Sequence, residues 1–68
     1  MDRKIGVCKW FNNEKGYGFL VNDQGQDVFI HYRSIDGEGY KTLNEGQTVE
    51  YLEVKSEKGL QAVEAVKQ

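Results

Sequence analysis

Lys15-Gly16-Tyr17-Gly18-Phe19-Leu20-Val21-Asn22 and, after Asp23-Gln24-Gly25-Gln26, Asp27-Val28-Phe29-Ile30-His31-Tyr32 decide how this chain folds. Side chains alternate between the two faces of a strand. In the first stretch Tyr17 and Phe19 share one face, and Gly18 and Leu20 share the other. In the second, Phe29 and His31 lie opposite Val28 and Ile30. The short turn between the stretches makes them a hairpin. Leu20, Val28 and Ile30 are natural core residues, so Tyr17, Phe19, Phe29 and His31 are expected to face outward. The inverse choice would bury the phenol of Tyr17 and the imidazole of His31, two polar tips that need partners in an apolar interior.

Outward from this hairpin the chain reads as strands throughout. No stretch holds apolar residues at the i, i+3, i+4, i+7 spacing of an amphipathic helix. Eight glycines punctuate the 68 residues, as turns and barrel bends require. Strands are expected over Lys4–Asn12, Tyr17–Asn22, Asp27–His31, Gln47–Lys55 and Leu60–Val66, with a long connection over Tyr32–Gly46. The first strand does not alternate cleanly, because Cys8 and Trp10 share a phase. A bulge or a sharp barrel bend there, with Cys8 inside and Trp10 outside, resolves it. In the fourth strand Val49 and Tyr51 alternate while Leu52 and Val54 break the phase and Glu53 takes an apolar slot, which predicts either a second bulge near Tyr51–Leu52 or a locally strained strand. Five short strands are too few for a two-sheet sandwich, and a closed barrel hides their edges. Parallel pairing would need helical crossovers for which there is no sequence. The expected fold is therefore all-β, a five-stranded antiparallel barrel forming one domain over residues 1–68.

Nine basic and eleven acidic residues give a net charge of −2. Residues 1–41 hold six of each sign, and residues 42–68 hold three basic against five acidic. Seven of the eight aromatics precede residue 41, and Tyr51 alone follows it. A nucleic-acid surface on such a chain must rest on stacking and local charge rather than on net charge. A barrel of this length has one interior and no second layer, so the outward aromatics form a patch that demands a partner. Bases suit it, since each has a π-face that stacks on a ring. Catalysis is not expected. His31 is the only histidine and has no positioned nucleophile or acid beside it in sequence. No phosphate loop of the GxxxxGK[ST] type is present. A lone histidine and a lone cysteine, Cys8, suggest neither metal site nor disulfide, which suits a reducing cytoplasm. No apolar run approaches a membrane span, and the start Met1-Asp2-Arg3-Lys4 leads directly into a strand pattern, so no signal peptide is expected.

Three motifs carry a family resemblance. They are Gly6-Val7-Cys8-Lys9-Trp10-Phe11-Asn12, Glu14-Lys15-Gly16-Tyr17-Gly18-Phe19-Leu20 and Asp27-Val28-Phe29-Ile30-His31-Tyr32. Gly37-Glu38-Gly39-Tyr40-Lys41-Thr42-Leu43, Glu45-Gly46-Gln47, Lys58-Gly59 and Gln61-Ala62 extend it over nearly the whole chain. The chain resembles the bacterial cold-shock domain proteins. The Lys15–Leu20 motif also has the look of an RNA-recognition motif, but that fold needs helices and places its other aromatic strand first. The resemblance implies an OB-like barrel that binds single-stranded RNA and DNA, with a lean to pyrimidine-rich strands, and acts as an RNA chaperone or antiterminator without a cofactor. It implies stacking by Trp10, Tyr17, Phe19, Phe29, His31, Tyr32 and Tyr40, with Lys9, Lys15 and Lys58 meeting backbone or base edges. Asp27 is a candidate acceptor for a base amino group, and Arg33 a candidate extension of the phosphate path. Tyr17, Tyr32 and Tyr40 stand where such proteins often carry Phe, and Leu60 stands where a proline is frequent. The competing reading is an SH3-like barrel whose aromatic groove takes a proline-rich peptide; the lysines around the rings speak against it. A monomer is the default, and the long central connection would permit strand swapping.

Overall fold

The computed structural model describes residues 3–37 and 41–68. Strands β1 (Arg3–Asn12), β2 (Tyr17–Val21), β3 (Asp27–His31), β4 (Thr48–Ser56) and β5 (Gly59–Lys67) form a closed barrel in the order β1-β2-β3-β5-β4, with β4 returning to β1. All five strands fall within a residue or two of their expected bounds. A 3-10 turn, Tyr32–Ser34, opens the stretch expected to be a plain connection.

Two hairpins owe their shape to side-chain bonds made by Asn. Asn12 Oδ1 accepts from the Lys15 amide at 2.8 Å and turns β1 into β2. Asn22 is 6% exposed and accepts from the amides of Gln24 and Gln26 while its Nδ2 donates to Gln26 Oε1 and Glu53 Oε1. Glu53 also accepts from the Tyr51 hydroxyl at 3.2 Å. The acidic residue in an apolar slot is thus the hub that ties the β2–β3 hairpin to β4 at one end of the barrel. Among the described residues every buried side-chain nitrogen and oxygen has a hydrogen-bond partner, as a core this small requires.

The barrel interior is Cys8, Leu20, Val28, Ile30, Ile35, Leu43, Val49, Tyr51, Ala62 and Ala65, with Phe11 and Leu60 packed against it. Leu20, Val28 and Ile30 are fully buried. The outward placement of the alternate residues follows directly.

The bulge expected in β1 is present. Cys8 pairs with Leu20 and Trp10 with Phe19, so Lys9 is the extra residue. Opposite Tyr51 the register also slips, between Glu50 and Leu52. There the extra residue belongs to β5 and not to β4: Glu50 pairs with Val66 and Leu52 with Val63, and Glu64 adopts φ 49°. Tyr51 lies in the interior cluster, while its neighbour Leu52 is buried outside that cluster. The purely antiparallel sheet needs one correction. β3 and β5 run parallel, joined at Phe29 and Gln61, and the bridge between Ile35 and Ala65 continues that pairing. No helical crossover is needed, because β4 carries the chain across the barrel before β5 returns antiparallel to it.

Candidate nucleic-acid interface

The face opposite Val28 and Ile30 gathers the rings from three strands. Phe19 pairs with Phe29 and Tyr17 with His31 across β2 and β3, and Trp10 sits beside Phe19 on β1. Ring centroids lie 5.6 Å apart for Trp10–Phe19 and for Phe19–Phe29, 5.9 Å for Trp10–Tyr17 and 6.0 Å for Tyr17–Phe29. These are the separations of aromatic pairs in edge or tilted contact. They form one continuous surface, half-buried at Tyr17, Phe19, Phe29 and His31 and exposed at Trp10. His31 continues into Tyr32, 4.6 Å away.

Two glycines make the surface possible. A Cβ at Gly18 would collide with the Trp10 carbonyl oxygen and lie 2.7 Å from Phe11 Cα, so only glycine lets β1 approach β2 here. Gly16, at φ 77°, would place a Cβ 2.5 Å from Tyr32 Cδ1. The Tyr32 ring therefore lies against bare backbone, held by its own amide donating to the Gly16 carbonyl at 2.8 Å.

Charged groups rim the rings. Lys9 Nζ lies 3.3 Å from both carboxylate oxygens of Asp27, spanning from β1 to β3 over β2. The pair is about half exposed, so it is weak and exchangeable. A groove of about 570 Å³ runs between Phe19, Asp27 and Phe29 on one side and Ser56, Lys58, Gly59, Leu60 and Gln61 on the other. A smaller one of about 290 Å³ lies beyond Phe29, lined by His31, Arg33, Ser34 and Gln61. Lys15 is exposed in the β1–β2 turn, next to Gly16 and its Tyr32 ring.

Of the residues singled out from sequence, Trp10, Tyr17, Phe19, Phe29, His31 and Tyr32 are brought together as rings. Lys9, Asp27, Arg33 and Lys58 sit at the edges. Tyr40 lies outside the described residues. Sequence reasoning missed Ser34, Ser56, Leu60 and Gln61 as groove walls. Gln61 reaches the site only through the parallel pairing with Phe29, which alternation along single strands does not reveal. Among the described residues no cluster of His, Cys, Asp and Glu is placed to hold a metal ion, and no helix is long and apolar enough to cross a membrane.

Residues 4–68 match the family described as the 'Cold-shock' DNA-binding domain. The chain belongs to the cold-shock domain family. It is 51% identical over 63 residues to the major cold shock protein CspA of Pseudomonas aeruginosa, covering 93% of this chain and 91% of that one. It is 55% identical over 62 residues to the cold shock protein CspB of Bacillus caldolyticus, covering 91% and 94%. Among solved structures, Drosophila Unr CSD456 superposes with a TM-score of 0.77 at 23% identity, over 98% of this chain and 27% of that one, and shares the fold. Membership makes this cold-shock domain a non-enzymatic nucleic-acid binder whose exposed aromatic cluster lies on one side of an OB barrel. It also decides against the SH3-like peptide groove.

Proposed function

We propose that this cold-shock domain, all 68 residues acting as one unit, binds single-stranded RNA and DNA in the cytoplasm and serves as a passive, ATP-independent RNA chaperone and antiterminator. The observation that carries the proposal is the unbroken run of ring contacts from Trp10 through Phe19 and Phe29 to Tyr17 on an uncovered face. Trp10, Tyr17, Phe19, Phe29, His31, Tyr32 and Tyr40 stack bases, each worth ~1–3 kcal/mol. Lys9, Lys15, Arg33 and Lys58 meet phosphates or base edges. Asp27 offers its carboxylate to a base amino group once Lys9 turns aside. Pyrimidine-rich strands bind best, because pyrimidines lose little self-stacking on the way. RNA and DNA bind alike, since stacking makes no demand on the 2′-hydroxyl. The protein acts as a monomer.

Such a face reaches only bases that are already splayed, so it holds open strands and not duplexes. A monomer binding the open form alone shifts a hairpin's equilibrium by RT ln(1 + [L]/Kd), or ~2.7 kcal/mol at a hundredfold excess over Kd. That opens weak hairpins and leaves long helices intact, with no nucleotide hydrolysed. A fluorophore–quencher RNA hairpin tests it. Opening is expected to rise with protein concentration in the absence of ATP and to be blunted by Phe29→Ala. Equal affinity for a stable duplex and for its single strand would overturn the proposal.

A further inference from the structure

Phe29 has a groove on each side, and the two differ in chemistry. The larger contains the Asp27 carboxylate together with Lys58 and backbone at Gly59, a mixture of acceptors and donors that suits a base edge. The smaller is walled by His31, Arg33, Ser34 and Gln61 and contains no carboxylate. Each of those four side chains carries a donor.

Among the described residues no partner occupies these side-chain donors. The Arg33 backbone amide donates to His31 Nδ1 at 3.2 Å, capping the 3-10 turn. Nδ1 is therefore the acceptor nitrogen, and the proton of the neutral ring, assigned from this bond, sits on Nε2 as a donor. The Arg33 guanidinium forms no ion pair with any described residue. Its Cζ lies 6.0 Å from the Tyr32 ring centroid, at the outer limit of a cation–π contact, which steadies the group, and among the described residues nothing bonds to its N–H edges. The cation on the opposite flank, Lys9, is already engaged with Asp27.

We propose that the pocket walled by His31, Arg33, Ser34 and Gln61 holds one backbone phosphate of the bound strand, with Arg33 as its charge partner. A base stacked on Phe29 must carry its sugar–phosphate to one side or the other, and this side offers a guanidinium with no carboxylate to repel the phosphate, whereas the larger groove contains Asp27. A planar guanidinium suits a phosphate through two parallel bonds, and the Ser34 hydroxyl and Gln61 amide complete a donor set around the remaining oxygens. The proposal rests on the reading of the aromatic face as the strand-binding surface.

The test is a titration of the full chain with heptathymidylate, followed by Trp10 fluorescence over a series of salt concentrations. Arg33→Gln is expected to bind several-fold more weakly and to show a log–log salt slope shallower by about 0.7, the loss of one phosphate contact on a single strand. Arg33→Lys keeps the slope. Arg33 is exposed and its side chain makes no hydrogen bond to a described residue, so both variants fold, which circular dichroism verifies. Oligomers with one uncharged methylphosphonate linkage, moved along the chain, locate the contact. One linkage is expected to weaken binding to the wild type and leave Arg33→Gln unaffected. An unchanged slope in Arg33→Gln overturns the phosphate pocket, as does a reduced slope with no such linkage. If Phe29→Ala still weakens binding in that case, the aromatic face stands without the pocket. If Phe29→Ala binds like wild type, the face itself is misassigned.

Discussion

Val28 and Phe29 are consecutive on β3 and point to opposite sides, so substituting each with alanine separates folding from binding. Val28 is 0% exposed. Val28→Ala removes two buried carbons at ~0.8 kcal/mol each and leaves a small cavity that adds roughly 1 kcal/mol. The expected loss is about 2.5 kcal/mol, a large share of the ~3–5 kcal/mol that a core of this size supplies. Phe29 is half-buried and touches Phe19 at 5.6 Å and Tyr17 at 6.0 Å. Phe29→Ala loses both ring contacts, but Phe19 and Tyr17 keep theirs to Trp10 and the ring is only half-buried, so the variant is expected to cost about 1 kcal/mol of stability. Its effect on binding is larger: the loss of one stacked base, ~1–3 kcal/mol, weakens affinity roughly 5- to 150-fold. Urea denaturation followed by circular dichroism reads the first quantity. Trp10 quenching by oligo-dT, at a temperature where both variants remain folded, reads the second. A Phe29→Ala that unfolds more readily than Val28→Ala, or a Val28→Ala that stays stable while losing affinity, would refute the assignment of faces.

Two further outcomes follow from packing and charge. Gly18→Ala forces a methyl group against the Trp10 carbonyl and Phe11 Cα, so it should lower the urea midpoint more than Val28→Ala does; a wild-type midpoint would contradict the close β1–β2 approach. The Tyr51 phenol is held well above its ordinary range by burial first, and then by the nearby Glu53 and Asp23 carboxylates. Above about pH 10 the unfolded chain gives up this proton and the folded chain keeps it, so stability falls as pH rises. Tyr51→Phe should flatten that alkaline fall in urea midpoints, and a variant that tracks the wild type would show that some other group governs it.

Much of the site was legible because one local rule carried it. Alternation along β2 and β3, anchored by Leu20, Val28 and Ile30 as core, places Tyr17, Phe19, Phe29 and His31 on one face without any knowledge of the barrel. What alternation cannot convey is which strands meet. The parallel contact between Phe29 and Gln61 depends on β4 crossing the barrel first, and so Gln61, Leu60 and Ser56 were invisible as groove walls. The second irregularity was legible as a break in phase near Tyr51 but not as to its strand. A register slip leaves the same mark on either partner, and Glu64 is an ordinary surface residue in sequence whose φ of 49° only the fold imposes. The Tyr32–Ser34 turn was missed for a related reason: its cap is a histidine side chain, not the Ser, Thr, Asp or Asn that usually announces a helix start.

The β1 bulge shows how a site can be written into a sequence as a conflict. Strict alternation would give Cys8 and Trp10 the same side, which means either a thiol in solvent or the largest ring inside a barrel whose interior is already filled by Leu20, Val28, Ile30 and Tyr51. Inserting Lys9 as the unpaired residue settles both demands at once. Cys8 turns inward, where burial and then the Glu45 charge hold its thiol protonated. Lys9 and Trp10 both turn outward, and the two outward residues serve different ends. Trp10 comes to rest 5.6 Å from Phe19 and lengthens the aromatic surface across a third strand. Lys9, freed from the ladder, reaches over β2 to Asp27 on β3. A regular strand would have supplied one of these contacts at most. The bulge thus sets the width of the aromatic face, and a charged residue between a small apolar one and a tryptophan is the sequence mark by which it was found.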